Sequence, residues 1–257
     1  MNSESSSAEV QGAAALERGL VLLDQILEGG PTASLAQIAD RIPMPISTAQ
    51  RLVAVFVRQG LLCRVGPGRY AGGVRMAQWN SHCDWHESLA EAARPLVTAL
   101  ARAVGATVHC GVLEAGMVTY LVKAHGGGQP VLTSEQSQLE AYCSGIGKAL
   151  LAHQSAELQE AYLAAGPFVA LTDRTTTDPD QLRRLFEQIL AQGYAVDDAE
   201  LQPGLYCLAV PVWAAGERVV AAVSISMRSD APVSLTLLDP LKDCARRLGR
   251  RIGAGGA

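Results

Sequence analysis

Leu35-Ala-Gln-Ile-Ala-Asp-Arg-Ile-Pro-Met-Pro-Ile-Ser-Thr-Ala-Gln-Arg-Leu-Val53 reads as a short helix, a proline-bounded turn and the opening of a second helix. Ser34 followed by Gln37 is a capping-box pair, in which each side chain satisfies the other residue's free backbone N–H at a helix start. Leu35, Ile38, Ala39 and Ile42 then recur at helical spacing until Pro43 and Pro45 interrupt them. The next helix, expected over 47–59, places Ala49, Leu52, Val53 and Phe56 on one side and stops at Gly60. At about 100° per residue, Ser47, Arg51, Ala54 and Arg58 fall opposite that stripe, with Thr48 and Gln50 on its flanks. Such a face is polar, small and basic. A helix lying in the major groove of DNA needs these properties: no bulky apolar obstruction, an arginine able to fork onto guanine or phosphate, and short hydroxyl or amide groups near the N-terminus. A second reading stays open, since Ser47 with Gln50 is itself a capping-box pair and two arginines also suit a solvated face.

The flanking sequence favours the first reading. Upstream, Leu16, Leu20, Leu23 and Leu27 form one helical stripe before Gly29-Gly30-Pro31 ends it. Downstream, residues 61–65 read as a strand, Gly66-Pro67-Gly68 as a tight turn and residues 69–71 as the returning strand. Three helices and a hairpin make a winged helix-turn-helix over 14–76. Arg64 and Arg69 flank the hairpin turn, where they suit phosphates or the minor groove. Residues 14–76 hold seven arginines against Glu17, Asp24, Glu28 and Asp40, a net +3, although the whole chain carries −4. A basic module on an acidic body points to a polyanionic partner.

With 257 residues and 49% hydrophobic content, the chain can bury a substantial core, divided most naturally into two domains. Residues 1–13 have little to bury and are expected as a disordered tail. They lack the basic and apolar segments of a secretory leader, and no later stretch is apolar enough for a membrane span, so a soluble, cytoplasmic protein without membrane contact is expected. Six cysteines, at 63, 83, 110, 143, 207 and 244, show no Cys-x-x-Cys spacing and are expected as free thiols. A linker helix is expected over 77–104, with Leu89, Ala93, Leu96, Val97 and Leu100 as its apolar ladder. His82 and His86 stand four apart, yet no further ligand cluster accompanies them, and no metal or cofactor is expected.

Beyond 105 the pattern becomes strands, helices, strands and a closing helix, an α+β layout with an antiparallel sheet flanked by helices. Two hairpins are expected, 107–114 with 117–124 and 205–214 with 218–227; helices are expected over 147–153, 155–165, 178–192 and 235–252. In the last strand Val219, Ala221, Val223, Ile225 and Met227 point one way, and Val220, Ala222, Ser224 and Ser226 the other. With Cys207 on the partner strand, the two serines suit a shallow cradle for the carboxylate of a small ligand; packing of small side chains beneath a helix is the competing reading.

The run 35–53, with Ser47-Thr48 followed by Arg51-Leu52, and the exit Gly60-Leu61-Leu62 through Arg69-Tyr70 to Arg75-Met76 resemble the IclR family of transcription regulators. Ile46 departs from that family, which often has a polar or basic residue there, and costs a phosphate contact. Residues 105–230 resemble the family's GAF-like effector domain, above all Ser144-Gly-Ile-Gly-Lys-Ala-Leu-Leu-Ala152, Gly193-Tyr-Ala-Val-Asp-Asp-Ala-Glu200 and Gly204-Leu-Tyr-Cys-Leu-Ala-Val-Pro-Val212. The resemblance implies Asp197, Cys207, Ser224 and Ser226 as effector-binding residues, with Gln136, Ser137 and Tyr142 as weaker candidates. It further implies operator DNA and a small organic acid, aromatic or aliphatic, as partners, and a homodimer that pairs into a tetramer. The rival class is an enzyme using Cys143 or Cys207 with His109 as base. Against it, Gly145-Ile-Gly147-Lys148 lacks the spacing of a phosphate-binding loop, and no Gly-x-Ser-x-Gly elbow is present.

Overall fold

A computed structural model of the chain describes residues 3–214 and 218–253, with side chains described from residue 13 onward. Residues divide into two compact units, 1–84 and 85–257.

In the first unit, α1 (Ser3–Gly29), α2 (Leu35–Arg41) and α3 (Ile46–Arg58) precede a hairpin of β1 (Leu62–Gly66) and β2 (Arg69–Gly72), and α4 (Val74–His82) follows. The expected tail over 1–13 falls mainly on residues 1–12, whose side chains lie outside the described residues; the bounds of α1 nevertheless begin at Ser3. Leu22, Leu23 and Ile26 of α1 pack with Leu35, Ile38, Ala49, Val53, Phe56 and Leu62, so α2 and α3 contribute the stripes their spacing demands. Leu16 and Leu20 of the expected α1 stripe are instead exposed. Ser34 and Gln37 form the reciprocal capping box. The Ser47 capping box does not form: α3 starts a residue earlier, with Pro45 as N-cap and no side-chain cap. Pro45 suits that position because it lacks only a donor the first turn leaves unpaired anyway, while its carbonyl accepts from Thr48 and Ala49. At the other end Gly60 adopts φ 72°, the left-handed closure in which Leu61 N–H donates to Phe56 O.

In the second unit, α5 (Trp85–Val104) is followed by β3 (Thr107–Glu114), β4 (Met117–His125), β5 (Gln138–Glu140), α6 (Gly145–Ala152), α7 (Ala156–Ala164), α8 (Pro179–Gln192), β6 (Ala195–Asp198), β7 (Leu205–Ala214), β8 (Arg218–Arg228) and α9 (Leu238–Arg251), the last preceded by a 3-10 turn, Leu235–Leu237. The six strands form one sheet in the order β5-β4-β3-β8-β7-β6, antiparallel at every pairing. One face packs on α5 and α9 through Leu89, Leu96, Val97, Val108, Val223, Ile225, Leu241 and Leu248. The other carries α6 and α8, with Ile146, Leu150, Phe186 and Ile189 over Ala209 and Ala222.

Two expectations are corrected here. The linker over 77–104 is two helices broken at Cys83-Asp84, and the apolar ladder of α5 is part of the second unit's core. In β8 the alternation holds from Ala221 to Met227, but Val212 pairs with Ala221 and Trp213 with Val219, leaving Val220 as a bulge. An extra residue shifts the pleat by one, so Val220 joins the α5/α9 core and Val219 the α6/α8 core, the reverse of a regular strand.

Candidate functional site

On α3, Ala49 and Val53 are buried, while Ser47, Gln50, Arg51, Ala54 and Arg58 are exposed and Thr48 is half-buried. The inward stripe pins the helix on the three-helix core and leaves its polar side outward. Among the described residues Arg51 makes one bond, 3.4 Å from Nε to the Ser47 carbonyl one turn back. Ile46 is 43% exposed at the first helical position, so the apolar departure stands on the surface. In the hairpin, Arg64 faces Tyr70 and Arg69 faces Gly66 across the turn, both arginines exposed. Leu35 N–H donates to Gly68 O at 2.8 Å, and Ser34 bridges to Arg69, so the turn is tied to the start of α2. Among the described residues no ion pair engages Arg51, Arg58, Arg64 or Arg69. The structure thus sets all seven sequence-predicted positions on one small unit and, among the described residues, leaves Arg51, Arg58, Arg64 and Arg69 without carboxylate partners.

In the second unit, strand register assembles a polar floor beneath α6. Asp197, Cys207, Ser226 and Thr107 lie in one cross-strand row, and Ala209, Ser224 and His109 in the next. Residues opposite one another share a face, as do alternate residues along a strand, so these side chains all rise on the same side. Gly145, at the start of α6, lies so close that a Cβ there would sit 3.4 Å from those of both Cys207 and Ala209. Val131 and Leu201 close another wall against Leu205 and Cys207. Asp197, Thr107, His109, Ser224 and Ser226 are all buried.

The electrostatics are unusual for a core. Asp197 Oδ1 accepts from Glu200 N–H at 2.8 Å and Leu201 N–H at 3.4 Å, but its Oδ2 and the Oε2 of Glu200 are buried without a hydrogen-bond partner among the described residues. Burial pushes the Asp197 carboxyl up to about 6, against the opposing pull of Lys148. Lys148, wholly buried on α6, pairs with Glu200. His109 hydrogen-bonds through Nε2 to Thr133 Oγ1 at 2.7 Å, with Ser226 Oγ 3.4 Å from Nδ1, and burial with Lys123 nearby drives its pKa down to about 3, so it is neutral. Cys143 is pushed up to about 12 and Cys207 well above the ordinary thiol range, both chiefly by burial, which keeps them protonated rather than nucleophilic.

The weaker candidates fall elsewhere. Tyr142 donates its hydroxyl to Val169 O at 2.6 Å and packs 4.8 Å from Phe168, in a groove shared with Tyr162. Gln136 is exposed in a left-handed conformation, φ 64°, and Ser137 bonds back to Ser134 O at 2.6 Å. These three do not join the Asp197 row. Sequence reasoning missed Lys148, Glu200 and Thr133, and placed His109 only in the rejected nucleophile pair. A signal existed for Lys148: a lone charge amid Gly145-Ile-Gly-Lys-Ala-Leu-Leu-Ala152 has no solvated face and demands a buried acid. His82 ends α4 and His86 is the second residue of α5, with the helix broken between them; His86 Nε2 lies 3.5 Å from Glu114. Among the described residues no cluster fit for a metal occurs, and no helix is long and apolar enough to cross a membrane.

Comparison with known proteins agrees with both halves. The IclR helix-turn-helix domain matches residues 15–66, and the bacterial transcriptional regulator IclR C-terminal domain matches residues 85–250. The chain is 32% identical to the HTH-type transcriptional regulator BhcR of Paracoccus denitrificans, covering 92% of this chain and 86% of that one. It is 30% identical to the transcriptional repressor IclR of Escherichia coli, covering 82% and 78%. Among solved structures, the Thermotoga maritima IclR superposes with a TM-score of 0.60 at 25% identity over 94% of this chain and 99% of that one. An IclR homolog from Microbacterium hydrocarbonoxydans, complexed with 4-hydroxybenzoate, gives 0.62 at 25% identity, covering 91% and 98%. A chain whose two units are matched in turn by both domains of one family, and whose relatives align over most of their length, belongs to the IclR family of DNA-binding transcriptional regulators.

Proposed function

We propose that this regulator reads duplex operator DNA with α3 and the β1–β2 wing, and that a small organic acid held over Asp197, Cys207, Ser224 and Ser226 alters its grip. The single observation that carries the DNA half is the exposed face of Ser47, Gln50, Arg51, Ala54 and Arg58, polar and free of ion pairs on a buried apolar stripe. Thr48 at its flank and Arg64 and Arg69 in the wing supply phosphate contacts that set register. The effector half rests on the buried polar floor under α6. Ser224 and Ser226 offer hydroxyl donors to a carboxylate, and Asp197, with its carboxyl raised to about 6, can take up a proton as an anion approaches. The 4-hydroxybenzoate complex of a relative supports ring-bearing acids as the class to try.

The regulator acts in the cytoplasm as a homodimer that pairs into a tetramer, its recognition helices on successive major-groove half-sites, and controls a catabolic or metabolic operon. It is not an enzyme: the buried thiols are protonated, and the histidine beside the floor is neutral and hydrogen-bonded to Thr133. The test is a mobility-shift assay on operator selected from random duplexes, with and without a panel of benzoates and short aliphatic carboxylates. At least one acid should change the apparent affinity by about 5- to 150-fold, the usual span of allosteric coupling. An operator affinity indifferent to every member would remove the sensor half.

A further inference from the structure

At the margin of the second unit's sheet, β6 pairs only with residues 206–209 of β7, so Val210–Ala214 extend past it with no strand on that side among the described residues. A cavity of ≈ 390 Å³ opens there, lined by Gly193, Val210, Pro211, Trp213, Ala245 and three cations of α9. That volume is in the range of small-molecule sites, about 300 to 1,000 Å³.

Lys242, Arg246 and Arg250 are spaced by four along α9, so they form one row on a single helix face, and all three are exposed. Arg246 pairs with Asp243, whereas Lys242 and Arg250 have no partner among the described residues. Among the described residues no carboxylate lines the cavity. Trp213 is 45% exposed, and its ring is fixed edge to face on His153, centroids 5.1 Å apart, at the C-cap of α6. Gly193 holds φ 76° at the end of α8, and its missing side chain leaves open space. Pro211 withholds a backbone donor from the uncovered stretch, which disfavours addition of a further strand as the occupant.

We infer that this cavity is a second ligand site, separate from the floor beneath α6, for a planar ring bearing an anionic sulfonate, phosphate or carboxylate group. The ring lies against Trp213, whose indole offers a large flat apolar surface already oriented by His153. The anion faces Lys242 and Arg250, which gain the partner that the fold does not give them.

Anilinonaphthalene sulfonate is a probe of this class, and the full chain can be titrated with it while its fluorescence and the sedimentation of the protein are followed. Saturable binding of the probe is expected, and Trp213→Leu, which removes the ring face, should weaken it, whereas Ser224→Ala at the floor should not. Lys242→Ala with Arg250→Ala, both at exposed positions, should weaken binding by about tenfold at low salt, as two surface charge contacts allow. Uncharged N-phenylnaphthylamine should bind far more weakly than the sulfonate. Absence of saturable binding, equal affinity in the double variant, or equal binding of the uncharged analogue would each overturn the proposal. A double variant that loses assembly size without losing the probe would also overturn it, and would assign this face to contact between copies of the chain.

Discussion

Asp197 shows how one residue can serve both the fold and the ligand. Its Oδ1 anchors the turn after β6 through two backbone N–H groups, while its Oδ2 is left without a hydrogen-bond partner among the described residues. A folded-state pKa of about 6, above the ordinary 3.8, means that on raising the pH the unfolded chain loses this proton first. The native state therefore binds more protons between about pH 4 and 6, and its stability contribution is present below that window and lost as pH climbs through it. Asp197→Asn keeps the carbonyl acceptor and removes that loss, so the variant should gain on the parent by on the order of 2 to 3 kcal/mol between those limits. His109, depressed to about 3, acts oppositely, losing stability as pH falls, but it does so in parent and variant alike and cancels in their difference. Melting temperatures at a series of pH values measure that difference, and a flat curve would contradict the account. Ser224→Ala, by contrast, should leave operator affinity intact and blunt the response to an effective acid in a mobility-shift titration. Lys148→Met leaves Glu200 buried without its cation and should cost about 3 to 5 kcal/mol in chemical denaturation, with Lys148→Met/Glu200→Gln recovering much of it. The thiol and serines were legible from strand alternation as a small polar face, with packing beneath a helix as the rival reading; Asp197 came from the family resemblance alone. The buried lysine was legible in composition, and its partner Glu200, fifty-two residues away, was not.

At the level of elements, α6 is pressed hard onto what precedes it. A Cβ on Gly147 would lie 2.2 Å from the Ala141 carbonyl oxygen, a contact with backbone that cannot swing aside. Gly147→Ala should destabilise the protein by more than about 2 kcal/mol, read from the denaturation midpoint, whereas a neutral outcome would mean that the helix can lift away. The wing allows a different test. Each phosphate contact removed lowers the salt slope of DNA binding by about one, so Arg64→Ala with Arg69→Ala should reduce it by roughly two. Long amphipathic helices and the two long hairpins were readable because many residues repeat one period. The edge strands β5 and β6, three and four residues long, carry no periodicity to read. The bulge at Val220 was invisible because nothing in Val219-Val220-Ala221 distinguishes a bulged from a regular pairing. The α4–α5 break at Cys83-Asp84 has no proline or glycine to announce it.

Across the whole molecule, function requires that two separately packed units exchange free energy. An acid that binds equally to every arrangement of the DNA-binding heads shifts nothing, however tightly it is held; it must prefer one arrangement. The sequence places the two tasks in separate segments: the exposed polar face of α3 belongs to the first unit, the buried polar floor to the second. The account rests on the outward face of α3 touching base pairs. Its most direct test is fluorescence anisotropy at one salt concentration, comparing affinity for the selected operator with that for a scrambled duplex, in the parent and in Arg51→Ala. If Arg51 reads a base, operator binding falls by about 1 to 3 kcal/mol while scrambled-duplex binding changes far less, so the ratio of the two collapses. A ratio unchanged by the substitution would contradict the claim that this helix reads the sequence of DNA.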